Sequence, residues 1–181
     1  MFRRTSFVCA VMCVLCCAAD GTNGGGTSGP KESPGGDWVQ ATASAGWSAR
    51  VNHGVVAFDG KMWVLGGDED GTNLDDVWYS MDGVSWTEAT SSAAWSARRG
   101  HVSLVYDNKI WVMAGATGDE WRDSSNDVWY SADGVNWTQA IASAPWSARM
   151  KATGLVYDGK MWIMGGDTEN DVCYSIDGAN W

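Results

Sequence analysis

The sequence predicts an all-β fold: a β-propeller built of four-stranded antiparallel blades, with about three blades present as an incomplete ring. Two observations carry this. A block of motifs returns in register at intervals of 48, 51 and 44 residues, read from Trp38 to Trp86, Trp137 and Trp181. Within each block, short apolar runs alternate with Asp-Gly or Asp-Asn turns, and no stretch shows the periodicity of a long amphipathic helix.

The chain begins with a different kind of segment. Residues 1–19 read as an export leader, with Arg3 and Arg4 as its basic start and an apolar run at 7–19 too short to span a bilayer. Two endings fit. Cys17-Ala18-Ala19 offers small residues to an ordinary signal peptidase. Val14-Leu15-Cys16-Cys17 resembles a bacterial lipobox, with Cys17 as the lipidated residue. Residues 20–36 are rich in Gly, Ser and Thr and read as a flexible tether. An exported location follows: periplasm, outer membrane or cell surface. Of the 5 cysteines, Cys9, Cys13, Cys16 and Cys17 lie in the leader, so Cys173 alone is left in the body and no disulfide framework forms there. The formal net charge is -10. That argues against nucleic acid and anionic membrane surfaces as partners, which need a basic footprint, and leaves a lipid anchor as the only route to a membrane.

The repeating body occupies 37–181, in repeats 38–85, 86–136 and 137–180. After each leading Trp comes Trp-Ser-Ala-Arg, at 47–50, 95–98 and 146–149. Trp63, Trp111 and Trp162 follow at a constant distance, then Asp76, Asp127 and Asp171, each opening a short aromatic run. Of the 13 tryptophans only Trp121 is outside these positions, which marks it as the aromatic not explained by the repeat. In the first repeat, 51–58 is strand-like, Asp59-Gly60 is a hairpin turn, and 61–65 is a second strand apolar on both faces. Residues 76–80 form the third strand, Asp82-Gly83 turns the chain, and 85–90 is the fourth. The segment 61–67 reads as the blade's inner packing strand. Gly66 and Gly67, with Gly115, Gly165 and Gly166, read as the small residues that let blades converge, and Trp63, Trp86, Trp111, Trp137 and Trp162 as packing positions.

These residues resemble kelch repeats: a Gly doublet after an apolar strand, a later Tyr, the spaced Trp and the Arg that follows it. The resemblance covers 38–181 and implies a propeller of the kelch and galactose-oxidase type. Two copies depart from the pattern, with Ala114-Gly115 for the doublet and Cys173 in place of Trp78 and Trp129. A second resemblance, of 80–86, 131–137 and 175–181 to the Asp-box of sialidase-type propellers, is one residue too short and implies a structural turn, not that chemistry. A third strand followed by Trp181 and nothing more reads as a fragment of a longer propeller. Alternatively, two chains of three blades make a homo-oligomeric ring.

Function is expected where the repeat is free to vary. All the difference in spacing falls between the second and third strands, at 68–75, 116–126 and 167–170. Connections of one kind share one face of a propeller, which makes them the candidate binding surface. Trp121, flanked by Glu120 and Arg122, is suited to stacking on a sugar ring or anchoring a protein. Asp68, Asp70 and Asp167 complete the candidate set. The acidic run at 68–76 lacks the spacing of a calcium loop and reads as solvated, so no metal or cofactor is expected. His53 and His101 share a repeat position, with Ala152 in the third copy, and read as structural. Arg50, Arg98 and Arg149 read as partners of buried carbonyls or of the repeat carboxylates. No nucleophile, base and orienting acid stand apart from the repeat, nor is there a Tyr/His copper set. The expected function is therefore a non-enzymatic scaffold for a protein or carbohydrate ligand. The alternative is a fragment of a carbohydrate-active propeller enzyme, galactose-oxidase-like or sialidase-like, with its catalytic residues in further blades.

Overall fold

The computed structural model describes residues 38–118 and 123–181. The segments expected to be a leader and a tether, with Cys17, lie outside the described residues. Gln40 to Trp181 form one unit, while Trp38 and Val39 belong to a separate one and are exposed. Every regular element described is a strand, gathered in three antiparallel sheets. Blade one is β1 (Gly54–Phe58), β2 (Lys61–Glu69), β3 (Thr72–Ser80) and β4 (Thr87–Thr90). Blade two is β5 (Val102–Tyr106), β6 (Lys109–Met113), β7 (Val128–Ser131) and β8 (Thr138–Ile141). Blade three has three described strands, β9 (Thr153–Tyr157), β10 (Lys160–Gly166) and β11 (Glu169–Ser175). The all-β, blade-by-blade reading is correct.

Local chemistry explains the hairpins. Asp59 and Gly60, Asp107 and Asn108, and Asp158 and Gly159 all have positive φ, as a two-residue turn between right-twisted strands requires. The indole N–H of Trp63 donates to the Phe58 carbonyl at 3.0 Å, closing that turn from the side. Trp111 does the same to Tyr106 at 2.9 Å and Trp162 to Tyr157 at 3.0 Å. The next turn is held by its own Ser and Asp. Ser80 Oγ accepts from the Gly83 N–H at 2.8 Å, and Asp82 Oδ1 accepts from Val84 and Ser85 N–H, each at 2.8 Å. The arrangement returns at Ser131–Asp133 and Ser175–Asp177. In the last copy the Asn180 backbone N–H, then its side chain and the Ala179 N–H, hold the Asp177 carboxyl down at about 2. The Asp-box resemblance is therefore one of turn geometry.

Three expectations need correction. First, 61–67 is not the innermost strand. β1, β5 and β9 stand at the ends of their sheets and pack against one another from blade to blade. β2, β6 and β10 are second in line. The reason is steric: a Cβ on Gly54 would lie 2.1 Å from Ser103 Oγ, and one on Gly154 2.2 Å from Val102 Cγ1, so the first strands are where backbones meet. Second, the strands begin later than their apolar patterns, at Gly54 instead of 51 and at Thr87 instead of 85. Asn52 has a φ of 55°, in the left-handed region and outside the extended range of a regular strand. Third, 68–75 is not a loop. β2 and β3 run on through it and leave only Asp70-Gly71 as a turn, both at positive φ.

Backbone hydrogen bonds cross from blade to blade at the Gly doublet. Gly67 has a φ of 112° at a shift of register between Leu65 and Gly67. A Cβ there would lie 2.8 Å from that of His53 and 2.9 Å from the Val51 carbonyl. Its N–H donates to the carbonyl of Arg98 in the neighbouring blade at 3.0 Å, and the Arg98 N–H returns a bond to the Leu74 carbonyl at 3.0 Å. The next seam repeats this, with Gly115 donating to Arg149 at 2.8 Å and Arg149 to Ser125 at 3.3 Å.

The core lies between sheets. One cluster joins Val56, Trp63, Leu65 and Val77 to Ile110, Val112 and Trp137, and a second joins Leu104, Trp111, Met113 and Val128 to Met161 and Ile163. Trp47, Trp95 and Trp146 meet Trp86, Trp137 and Trp181 edge to face, at 87°, 90° and 85°.

Candidate functional site

Each blade is braced by an arginine on an aspartate. Arg50 donates to both carboxylate oxygens of Asp76, at 2.6 and 2.8 Å, and to the Gly66 carbonyl at 3.0 Å. Arg98 does the same to Asp127, at 2.7 and 2.9 Å, and to the Ala114 carbonyl at 2.9 Å. Arg149 pairs with Asp171 and donates to the Gly165 carbonyl at 3.0 Å. The carbonyl in each case belongs to the first small residue of the doublet. The guanidinium therefore fills the acceptor exposed by the bulge, and the fork geometry explains why arginine, not lysine, stands there. Burial works against ionisation of Asp127, but the two Arg98 bonds and charge, with Ser125 and Trp129, hold its carboxyl below the ordinary range. These arginines are structural, as their repeat position implied.

The connections between second and third strands of blades one and two adjoin one another beside these braces. Arg99 Nη1 donates to Asn73 Oδ1 at 2.6 Å and lies 3.6 Å from Asp68 Oδ2. Asn73 Nδ2 donates onward to the Ala116 and Gly118 carbonyls, each at 3.3 Å. The hairpin tip of blade one is thereby stitched to the root of the blade-two connection. That root is itself closed: Thr117 donates through its N–H and its hydroxyl to the Asp123 carbonyl, at 2.7 and 3.0 Å. Ala116 bridges both Arg99 and Ser124. In blade three, Asp167 Oδ2 accepts from the Met150 N–H at 2.8 Å, and Glu169 accepts from the Ser147 hydroxyl at 3.0 Å.

The candidate residues separate on this geometry. Asp68 and Asp167 are engaged in holding the rim: Asp68 also accepts from the Gly71 N–H at 3.1 Å. Asp70 is exposed at the hairpin turn. Glu120, Trp121 and Arg122 lie outside the described residues, on a connection whose two flanks are tied together. Among the described residues no group of acidic, His or Cys side chains could hold a metal ion. Cys173 donates weakly to Asp171, and burial, then the Asp171 charge, push its thiol up, away from reactivity at neutral pH. Sequence reasoning missed Asn73 and Arg99. The signal for Arg99 was present, since Val51 and Met150 hold its position in the other repeats and a charge there breaks the pattern.

His53 and His101 lie just before the first strands, against Gly67 and Gly115 of the small doublets. His101 is buried, and neither ring nitrogen has a hydrogen-bond partner. Burial, then the charges of Arg98 and His53, push it down to about 3, so it is a neutral packing residue at neutral pH.

The family model described as the KLHDC2/KLHL20/DRC7 Kelch-repeats domain matches residues 36–178, most of the chain. No curated protein matches significantly.

Proposed function

We propose, from the premise that this chain belongs to the Kelch-repeat family, that it is an exported propeller scaffold binding a protein or glycan ligand at its rim. One observation carries this. The second-to-third-strand connections of the first two blades are held against each other by Arg99, Asn73 and Asp68, and they are the part of the repeat that differs from blade to blade. A rim fixed at its roots and variable at its tips is how a repeat scaffold presents recognition residues on a rigid frame. The net negative charge supports protein or sugar over nucleic acid as the ligand.

The leader supports export, and Cys17 supports a lipid anchor of the bacterial type. Radiolabelled palmitate should enter the wild-type chain and not Cys17→Ser. Unlabelled wild type would leave the protein released and soluble. For the ligand, wild type and Trp121→Ala are compared on a glycan array and on an array of surface proteins. Binding that the substitution weakens at least tenfold supports the rim. Binding that survives both Trp121→Ala and replacement of 117–123 by Gly-Ser would move recognition elsewhere.

A further inference from the structure

Asp-Gly recurs among the described residues at 59–60, 70–71, 82–83, 133–134, 158–159 and 177–178. The pair has a chemistry of its own. The glycine nitrogen, unshielded by a side chain, can attack Cγ of the aspartic acid before it and close a five-membered imide. The reaction needs a free N–H, a neutral carboxyl and room for the ring. The structure meets these needs unequally.

Three of the pairs are blocked. The N–H groups of Gly83, Gly134 and Gly178 donate to the hydroxyls of Ser80, Ser131 and Ser175, each at 2.8 Å. The carboxyls are engaged as well: Asp82, Asp133 and Asp177 accept from the backbone N–H groups two and three residues on. Such bonds favour the ionised form, whose oxygens do not leave. Ser85, then Val84 and Ser80, hold the Asp82 carboxyl below the ordinary range. Burial works against ionisation of Asp133, but Asn136, Val135 and Ser131 hold it down at about 2. Space is short too, since a Cβ on Gly134 would lie 2.2 Å from the Trp63 ring and one on Gly178 2.1 Å from the Trp111 ring.

The other three turns are open, with nothing within 4 Å of a Cβ on Gly60, Gly71 or Gly159. Asp59 and Asp158 are each tied to the lysine two residues on, to Lys61 at 3.2 Å and Lys160 at 3.5 Å. Asp70 has no such tie. It is exposed at the tip of the β2–β3 hairpin, and no hydrogen bond or ion pair among the described residues holds its carboxyl. The Gly71 N–H donates to Asp68 Oδ1 at 3.1 Å, so a carboxylate stands where the attacking nitrogen must shed its proton.

We propose that Asp70-Gly71 is a site of spontaneous isoaspartate formation, the fastest of these pairs. The Gly71 nitrogen bonds to Asp70 Cγ and passes its proton to Asp68. The Cγ–O bond of the neutral carboxyl breaks, and the hydroxyl takes up that proton and leaves as water. Water then opens the imide. Addition at the Cγ carbonyl restores aspartate; addition at the main-chain carbonyl leaves the chain running through the side chain, with an extra methylene in the backbone. That methylene falls in a two-residue turn beside the Glu69–Thr72 pair that closes the hairpin. The tip of the first rim connection changes shape while Asn73 and Arg99 still hold its root. The site is independent of export and of the rim's ligand.

The test is ageing of the purified full chain at neutral pH and physiological temperature. Peptide mapping with electron-transfer fragmentation then separates isoaspartate from aspartate site by site. The same chain unfolded in guanidinium is aged alongside. In the folded chain isoaspartate should build up at Asp70 at least fivefold faster than at Asp82, Asp133 or Asp177, with Asp59 and Asp158 between. In the unfolded chain the rates should converge. Asp70 no faster than the three blocked pairs overturns the proposal, as does Asp70 unmodified in the folded chain while the unfolded chain isomerises there. A lead for Asp70 that persists on unfolding would assign the rate to local sequence and overturn it as well.

Discussion

Replacing Asp127 with alanine isolates the brace at its most buried point. The Arg98 side chain is 0% exposed and that of Asp127 12%. The carboxylate accepts from Arg98 twice, from the Trp129 indole at 2.7 Å and from the Ser125 hydroxyl at 2.6 Å. Its removal leaves a buried guanidinium with only carbonyl partners, and breaking a buried pair from one side costs about 3–5 kcal/mol. Asp76 accepts from Arg50 twice and from Trp78 at 2.7 Å, with no serine. Asp171 is the outlier: its side chain is 40% exposed, and where a tryptophan would donate, Cys173 offers a thiol at 3.9 Å. Water can replace much of what Asp171 supplies, so its loss should cost only about 1–2 kcal/mol. The assay is urea unfolding followed by tryptophan fluorescence, read as the shift in midpoint at unchanged slope. The expected order of loss is Asp127→Ala, then Asp76→Ala, then Asp171→Ala. If Asp127→Ala does not fold, Asp127→Asn and its two counterparts report the same order. Equal losses at the three sites, or the largest at Asp171, would refute the assignment of energy to burial and donor count.

Other outcomes follow from single contacts. The folded chain refuses a proton at His101 until about 3, whereas the unfolded chain accepts it near 6.5. Stability is therefore full above pH 6.5 and falls as pH drops from there towards 3, by up to about 1.4 kcal/mol per pH unit. His101→Phe should flatten that part of the thermal-midpoint profile, and an unchanged slope would show that other groups cause it. Gly115→Ala should cost more than about 2 kcal/mol, since the φ is 98° and the new Cβ would lie 2.8 Å from that of His101. Gly159→Ala, with φ 65° and nothing within 4 Å, should cost only about 1 kcal/mol. Thermal melts of the two variants separate conformational strain from collision. Cys173→Trp should raise the melting temperature, by about 1 kcal/mol of stability, if the restored indole N–H reaches Asp171 as Trp78 reaches Asp76.

Much of the blade was legible because its signals are local. The Asp-Gly turns, the apolar runs and the constant distances from Trp47 to Trp63 to Asp76 depend on nearest neighbours along the chain. The arginine partners could be inferred because one cation and one carboxylate recur in every repeat. What could not be read was which strand faces the axis. That depends on contacts such as Gly54 against Ser103, which join different repeats. The hairpin at 68–75 was misread for a related reason. Its acidic residues argue for solvent, whereas Asn73 and Arg99 hold it as strand through a contact 26 residues apart. Asp68 and Asp167 were chosen for their charge, and the backbone N–H groups that occupy them leave no trace in sequence.

Arg98 shows that the repeat in the sequence is not the cooperative unit of the molecule. Its side chain completes blade two, while its backbone N–H and carbonyl are bonded into blade one at Leu74 and Gly67. Neither blade can lose its order without stranding part of the other's hydrogen bonding, so the coupling between neighbours is built into a single residue. Such coupling passes from one blade to the next, as in a one-dimensional array. Native-state hydrogen exchange would register it as joint opening of the amides that cross the seam, with Gly67 and Arg98 exchanging together.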